Sequence, residues 1–243
     1  MIRNNQTNQN NGFTLIELLL SMTFVSVLLM SIAMLIIQIG NIYSRGLTMK
    51  EVNQAGRSIS SELQSAISQS PQFDVSGNNY VVQKDASNNV VGMRLCLGRY
   101  TYVWNHGKYM DTTKFAMGSV PNKYSSGSTR FRFIKVNDSN AQYCVASSPG
   151  NYPDIIKSDS KELLSSGENN LAIYNFSLYS DNTIKDSQTG QQLYHISFLL
   201  GTDAAALSDD TSSCRPPDDL RSDINYCSIN EFNIVARAGN TTN

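Results

Sequence analysis

Between Phe13 and Gly40 the chain reads FTLIELLLSMTFVSVLLMSIAMLIIQIG, 28 residues with one ionisable side chain, Glu17. As a helix rising about 1.5 Å per residue, this run exceeds the ~30 Å hydrocarbon thickness of a bilayer. A secretory signal has an apolar core of about 7–15 residues and ends in an Ala-x-Ala-like site. This run is longer, and no such site follows it. We read a membrane-inserted helix. Ahead of it stands MIRNNQTNQNNG, a polar leader rich in Asn and Gln whose only charge is Arg3. Arg45 and Lys50 follow the run, so basic residues on both sides leave its orientation open.

The lone carboxylate needs a reason. An acidic residue at the centre of a membrane helix costs about 2.5–3.5 kcal/mol on insertion scales and usually has a partner. A cut after Gly12 would supply one. Phe13 would then carry a free α-amino group with a pKa of about 8, mostly protonated at neutral pH. That amine would lie within one helical turn of Glu17, in the same molecule or in a neighbour packed alongside. The first turn of a helix also favours a carboxylate through the helix dipole.

GFTLIE, from Gly12 to Glu17, resembles the class III signal of type IV prepilins and pseudopilins. The resemblance implies that a prepilin peptidase cuts the Gly12–Phe13 bond and that the new amine of Phe13 is methylated. It makes Glu17 the carboxylate that pairs with the N-terminus of an adjacent subunit during assembly. It also implies an α+β pilin fold, a long N-terminal helix packed on an antiparallel β-sheet domain. The divisions are a leader at 1–12, a transmembrane stalk at 13–40, an amphipathic half of the same helix at 41–70, and an extracytoplasmic β-rich domain at 71–243. Near the other end, Cys214-Arg215-Pro216 leads to a final strand that stops at ARAGN, which resembles minor pilins of the PilW type. The J-type pseudopilin of type II secretion has a similar length and plan.

For such a subunit the resemblance implies a structural function in initiating pilus assembly, at or near the filament tip. Its place is the bacterial cytoplasmic membrane, with the C-terminal domain outside, and then the filament. The implied partners are the prepilin peptidase, other minor and major pilins, an inner-membrane assembly platform and the lipid bilayer. A surface ligand or DNA at the tip, and so cell adhesion, also falls within the family's range. No cofactor is implied. A membrane-anchored adhesin or enzyme that borrowed the leader is the alternative from another class.

The rest of the sequence agrees with an exported domain. The net charge of −1 and mean hydropathy of −0.28 provide no basic field of the kind that nucleic acid attracts. Beyond Gly40 an apolar stripe recurs every three or four residues at Val52, Ala55, Ile59, Leu63 and Ala66–Ile67. This predicts that the helix lays one face on the domain and ends before Pro71. Gly40, Gly46 and Gly56 each cost a helix about 1 kcal/mol relative to Ala, and would let the stalk bend or melt locally.

Segments 80–83, 90–104, 130–136, 142–147, 171–180, 193–200 and 231–238 are rich in β-branched and aromatic residues and read as strands. In RFRFIKV, Phe131 and Phe133 alternate with Arg130 and Arg132, the pattern of a half-buried strand. We expect one antiparallel sheet, with a short helix near SKELLSS.

Four cysteines allow three pairings. Cys96 and Cys144 fall in expected strands, whereas Cys214 and Cys227 flank a polar loop, so Cys96–Cys144 and Cys214–Cys227 are the favoured bonds. A loop of the second size contributes about 3 kcal/mol by chain-entropy reasoning. A zinc site fares worse, since there is no Cys-x-x-Cys and neither His106 nor His195 neighbours a cysteine. Oxidised cysteines imply a compartment outside the cytoplasm.

No Gly-x-Ser-x-Gly elbow, His-Glu-x-x-His, phosphate loop or dinucleotide fingerprint is present, so a non-enzymatic reading is preferred. The acidic residues Asp209, Asp210, Asp218, Asp219 and Asp223 lack EF-hand spacing and read as a solvated loop. Trp104 with Tyr100, Tyr102 and Tyr109 reads as core and cross-strand packing before it reads as a ligand patch.

Overall fold

A computed structural model of the chain describes residues 13–110, 120–127, 130–148, 150–164, 169–181, 191–202 and 204–239. Two compact units divide between Tyr43 and Ser44, and one helix, α1 (Leu15–Ser68), supplies residues to both. In the first unit every large apolar side chain from Phe13 to Ile42 is exposed, on all sides of the helix. A helix that is apolar all round belongs in an apolar surrounding. Among the described residues, α1 is the one helix long and apolar enough to cross a membrane.

In the second unit α1 is amphipathic. Thr48, Val52, Gly56, Ile59, Leu63 and Ile67 are buried; of the stripe expected from the sequence, Val52, Ile59, Leu63 and Ile67 are fully buried and Ala55 and Ala66 partly so, while Thr48 and Gly56 join it. The strands are β1 (Tyr80–Lys84), β2 (Val90–Cys96), β3 (Tyr100–Asn105), β4 (Phe133–Asn137), β5 (Ser160–Glu162), β6 (Ala172–Ser180), β7 (Gln192–Gly201) and β8 (Ile229–Ala238). They form two antiparallel sheets where one was expected, β1-β2-β3-β4-β5 and β6-β7-β8, each in chain order. The α+β layout is as read. Both sheets serve one core, in which the α1 stripe meets Leu95, Trp104 and Phe133 of the first sheet and Phe176, Tyr194 and Phe198 of the second. An aromatic chain crosses between them: Trp104 lies 4.4 Å from Phe176, Phe176 6.2 Å from Phe198, and Phe198 5.2 Å from Phe232, centroid to centroid.

Three local expectations are corrected. The segment 142–147 is no strand. Asp138 accepts the N–H groups of Gln142 (2.9 Å) and Tyr143 (3.2 Å), which winds Gln142–Cys144 into a 3-10 turn. SKELLSS begins as strand β5, because Ser160 and Glu162 pair with Val136 and Ile134. In RFRFIKV the strand starts only at Phe133 and is buried on both faces. Phe133 points into the helix-facing core, while Ile134 and Val136 join Phe131, Tyr143 and Ile155 in a second cluster on the far face.

That far face also holds Arg94, fully buried. Its guanidinium donates to Asn122 Oδ1 (2.8 Å), Tyr143 O (2.7 Å) and Pro153 O (3.0 Å), and burial pulls its pKa down to about 10. On the helix side, one oxygen of Glu62 accepts from Tyr102 Oη (2.7 Å) and Lys135 Nζ (2.6 Å), which fixes α1 to β3 and β4.

Gly56 is a packing position and not a hinge. A Cβ there would stand 2.0–2.5 Å from the Phe232 ring, whereas Gly40 and Gly46 have no neighbour within 4 Å. Overpacking of this kind costs about 1–3 kcal/mol. Gly56→Val is therefore expected to lower the Tm of the domain by circular dichroism. Phe232→Ala should cost less in that background than alone, because the two changes share one contact. An unchanged Tm in Gly56→Val would contradict the contact.

Glu162 supplies a pH test. Burial pushes its carboxyl up to about 7, against hydrogen bonds from the N–H groups of Phe133 (2.9 Å) and Arg132 (3.2 Å). The unfolded value is about 4.3, so between these values the folded state holds more proton than the unfolded state. This group's contribution is thus full below about pH 4.3 and is lost as pH rises through about 7. Thermal melts across that window should show the fall, and Glu162→Gln should flatten it. A variant with the same pH slope as the wild type would count against the assignment.

Candidate functional site

The sequence singles out Gly12, Phe13 and Glu17. Gly12 lies outside the described residues. Phe13 is 78% exposed and precedes the first helical residue, Leu15, by two positions. Glu17 Oε2 accepts the N–H of Thr14 (3.0 Å) and its Oγ1 hydroxyl (2.8 Å). In return, Thr14 Oγ1 accepts the N–H of Glu17 (3.3 Å). This is a capping box, with Thr14 as N-cap and Glu17 at the third helical position. Sequence reasoning explained Glu17 by charge alone and passed over Thr14. The signal was there in Thr14-x-x-Glu17 ahead of an apolar run.

The same economy runs down the span. Ser21, Thr23, Ser26 and Ser31 each donate a hydroxyl to a carbonyl three or four residues back, at 2.8–2.9 Å. Polar groups are thus satisfied inside their own helix, as a hydrocarbon surrounding requires. The first unit presents an apolar surface whose only carboxylate is tied to its own first turn.

The cysteines bond as Cys96–Cys144 and Cys214–Cys227. The first joins the end of β2 to the 3-10 turn that covers the far face. The second closes the loop ahead of β8. Compared with protein families, with curated proteins and with solved structures, the chain matches none of them. The long apolar N-terminal helix, with its second half packed on antiparallel sheet, is compatible with a pilin-like fold.

The remaining candidates disperse. Trp104 and Tyr102 are buried in the core. His195 stacks on Tyr179 at 4.9 Å on a strand surface. His106 meets Tyr109 and Tyr174 edge-on at 6.0 and 5.9 Å, and burial lowers its pKa. In the acidic segment, Asp209 and Asp219 hold Arg215 at 2.9 and 3.1 Å, and Asp210 binds the hydroxyls of Ser208 and Ser212. Among the described residues no three His, Cys, Asp or Glu side chains are grouped to hold a metal ion.

Proposed function

We propose that the chain is a minor type IV pilin, a structural subunit without catalytic function that helps initiate assembly at or near the filament tip. The observation that carries the reading is GFTLIE at the head of a helix whose apolar surface is exposed on every side. The peptidase cuts Gly12–Phe13, and Phe13 is methylated. The subunit waits in the cytoplasmic membrane with its disulfide-bonded domain outside. It then packs its stalk against those of other minor and major pilins on the assembly platform. Glu17 has two duties: it caps its own helix, and it compensates the ammonium of a Phe13 brought alongside it.

Two substitutions separate these duties. Gln can replace Glu in a capping box, so Glu17→Gln keeps the cap and removes the charge, while Glu17→Ala removes both. Breaking a buried ion pair from one side costs about 3–5 kcal/mol, two or more orders of magnitude in association. Copurification of tagged subunits is expected to show both variants cleaved and oxidised but poorly recruited by pilin partners. Wild-type recruitment of Glu17→Gln together with loss in Glu17→Ala would leave Glu17 a helix cap and remove its charge from assembly.

A further inference from the structure

Where the two sheets adjoin, His106 bridges Ile173 of β6, and beside that bridge opens a cleft of about 320 Å³. Four separate segments wall it, and each is held in place. The turn after β1 contributes Asn89, whose neighbour Asp85 accepts a bond from Tyr109 Oη (3.1 Å). The turn after β3 contributes His106, Lys108 and Tyr109, and the Lys108 N–H donates to His106 Nδ1 (3.2 Å). On β6, Ile173 pairs with Leu200 and Asn175 with Leu199, so Tyr174 is the extra residue of a bulge. Such bulges re-aim side chains, and here Asn175 lines the cleft while the Tyr174 hydroxyl is anchored on Thr202 O. The fourth wall is Asp209–Thr211, pinned by the buried Arg215. In it Thr211 takes a φ of 58°, rare for a β-branched residue.

The chemistry of these walls narrows the occupant. Asp209 is paired with Arg215, which leaves the Asp210 carboxylate against the Lys108 ammonium in the lining, with no excess of positive charge to attract an anion. Burial holds His106 below its usual range, so it adds no charge at neutral pH. The exposed amide of Asn175 offers donors and an acceptor, while Asn89, whose amide nitrogen bonds both oxygens of Asp85 (3.3 and 3.1 Å), offers its Oδ1 as an acceptor, so donors and acceptors for vicinal hydroxyls are both at hand. Val90 and Met93 supply apolar contact in the same cleft. The volume lies at the low end of the about 300–1,000 Å³ range of ligand sites, room for one ring.

We propose that this cleft binds a neutral, hydroxyl-rich ring, a single pyranose unit of a glycan, with Asn89, Asn175 and Asp210 hydrogen-bonded to its hydroxyls. The proposal stands independently of the pilus reading.

The test uses the full chain in lipid nanodiscs, since glycoside detergents would compete. Saturation-transfer NMR is run with the methyl glycosides of glucose, galactose, mannose and N-acetylglucosamine at millimolar concentration, and with inorganic phosphate as competitor. At least one glycoside should receive saturation, and phosphate should not displace it. Asn89→Ala and Asn175→Ala, both exposed substitutions checked for intact disulfides, should each weaken binding about tenfold. No binding by any glycoside, binding untouched by both variants, or displacement by phosphate would each overturn the proposal.

Discussion

The second half of α1 is the wall on which the domain is built. The core that the two sheets share is closed by it: Val52, Ile59, Leu63 and Ile67 meet strands of both sheets there. Fully burying each such side chain contributes about 1.5–3 kcal/mol, and no other described helix is long enough to replace them. The remaining helix–sheet details follow from this burial. Gly56 lets Phe232 approach the helix axis, and Glu62 ties down Tyr102 and Lys135 at the margin of the core. The aromatic chain from Trp104 to Phe232 then fills the space that the helix leaves between the sheets.

Each unit satisfies the polar groups that stand among apolar residues by a different route. In the apolar run the solution is local, through hydroxyls bonded to the preceding turn and a carboxylate bonded to Thr14. On the far face of the first sheet it is long-range, since Arg94 reaches carbonyls 49 and 59 residues away. The Cys96–Cys144 bond and the Thr101–Asp138 hydrogen bond (2.7 Å) hold the covering segment over that arginine. An unpaired buried guanidinium would be costly, which makes the covering loops part of the fold and not an ornament on it.

What could be read from the residues was what repeats. An unbroken apolar run marked the first half of α1 and a three-or-four-residue period the second, and β-branched and aromatic runs marked β1, β2, β3, β6, β7 and β8. What depends on one distant partner was not legible. Nothing local says that Asp138 will wind Gln142–Cys144 into a turn, or that loops will bury Ile134 and Val136 from behind. The division into two sheets was hidden for the same reason, because strands of both sheets share one period. Gly56 looked like Gly40 and Gly46 until Phe232 was placed against it. Thr14 is the instructive miss: its capping signal is wholly local, but the carboxylate beside it already had an explanation.

The central claim is that Phe13 becomes the first residue of a chain that enters a filament, and mass spectrometry of sheared filaments tests it most directly. The account predicts an N-terminal peptide beginning at Phe13, carrying one added methyl group, from a chain recovered with the filament fraction. A chain that retains residues 1–12, or one cut elsewhere and absent from filaments, would contradict it.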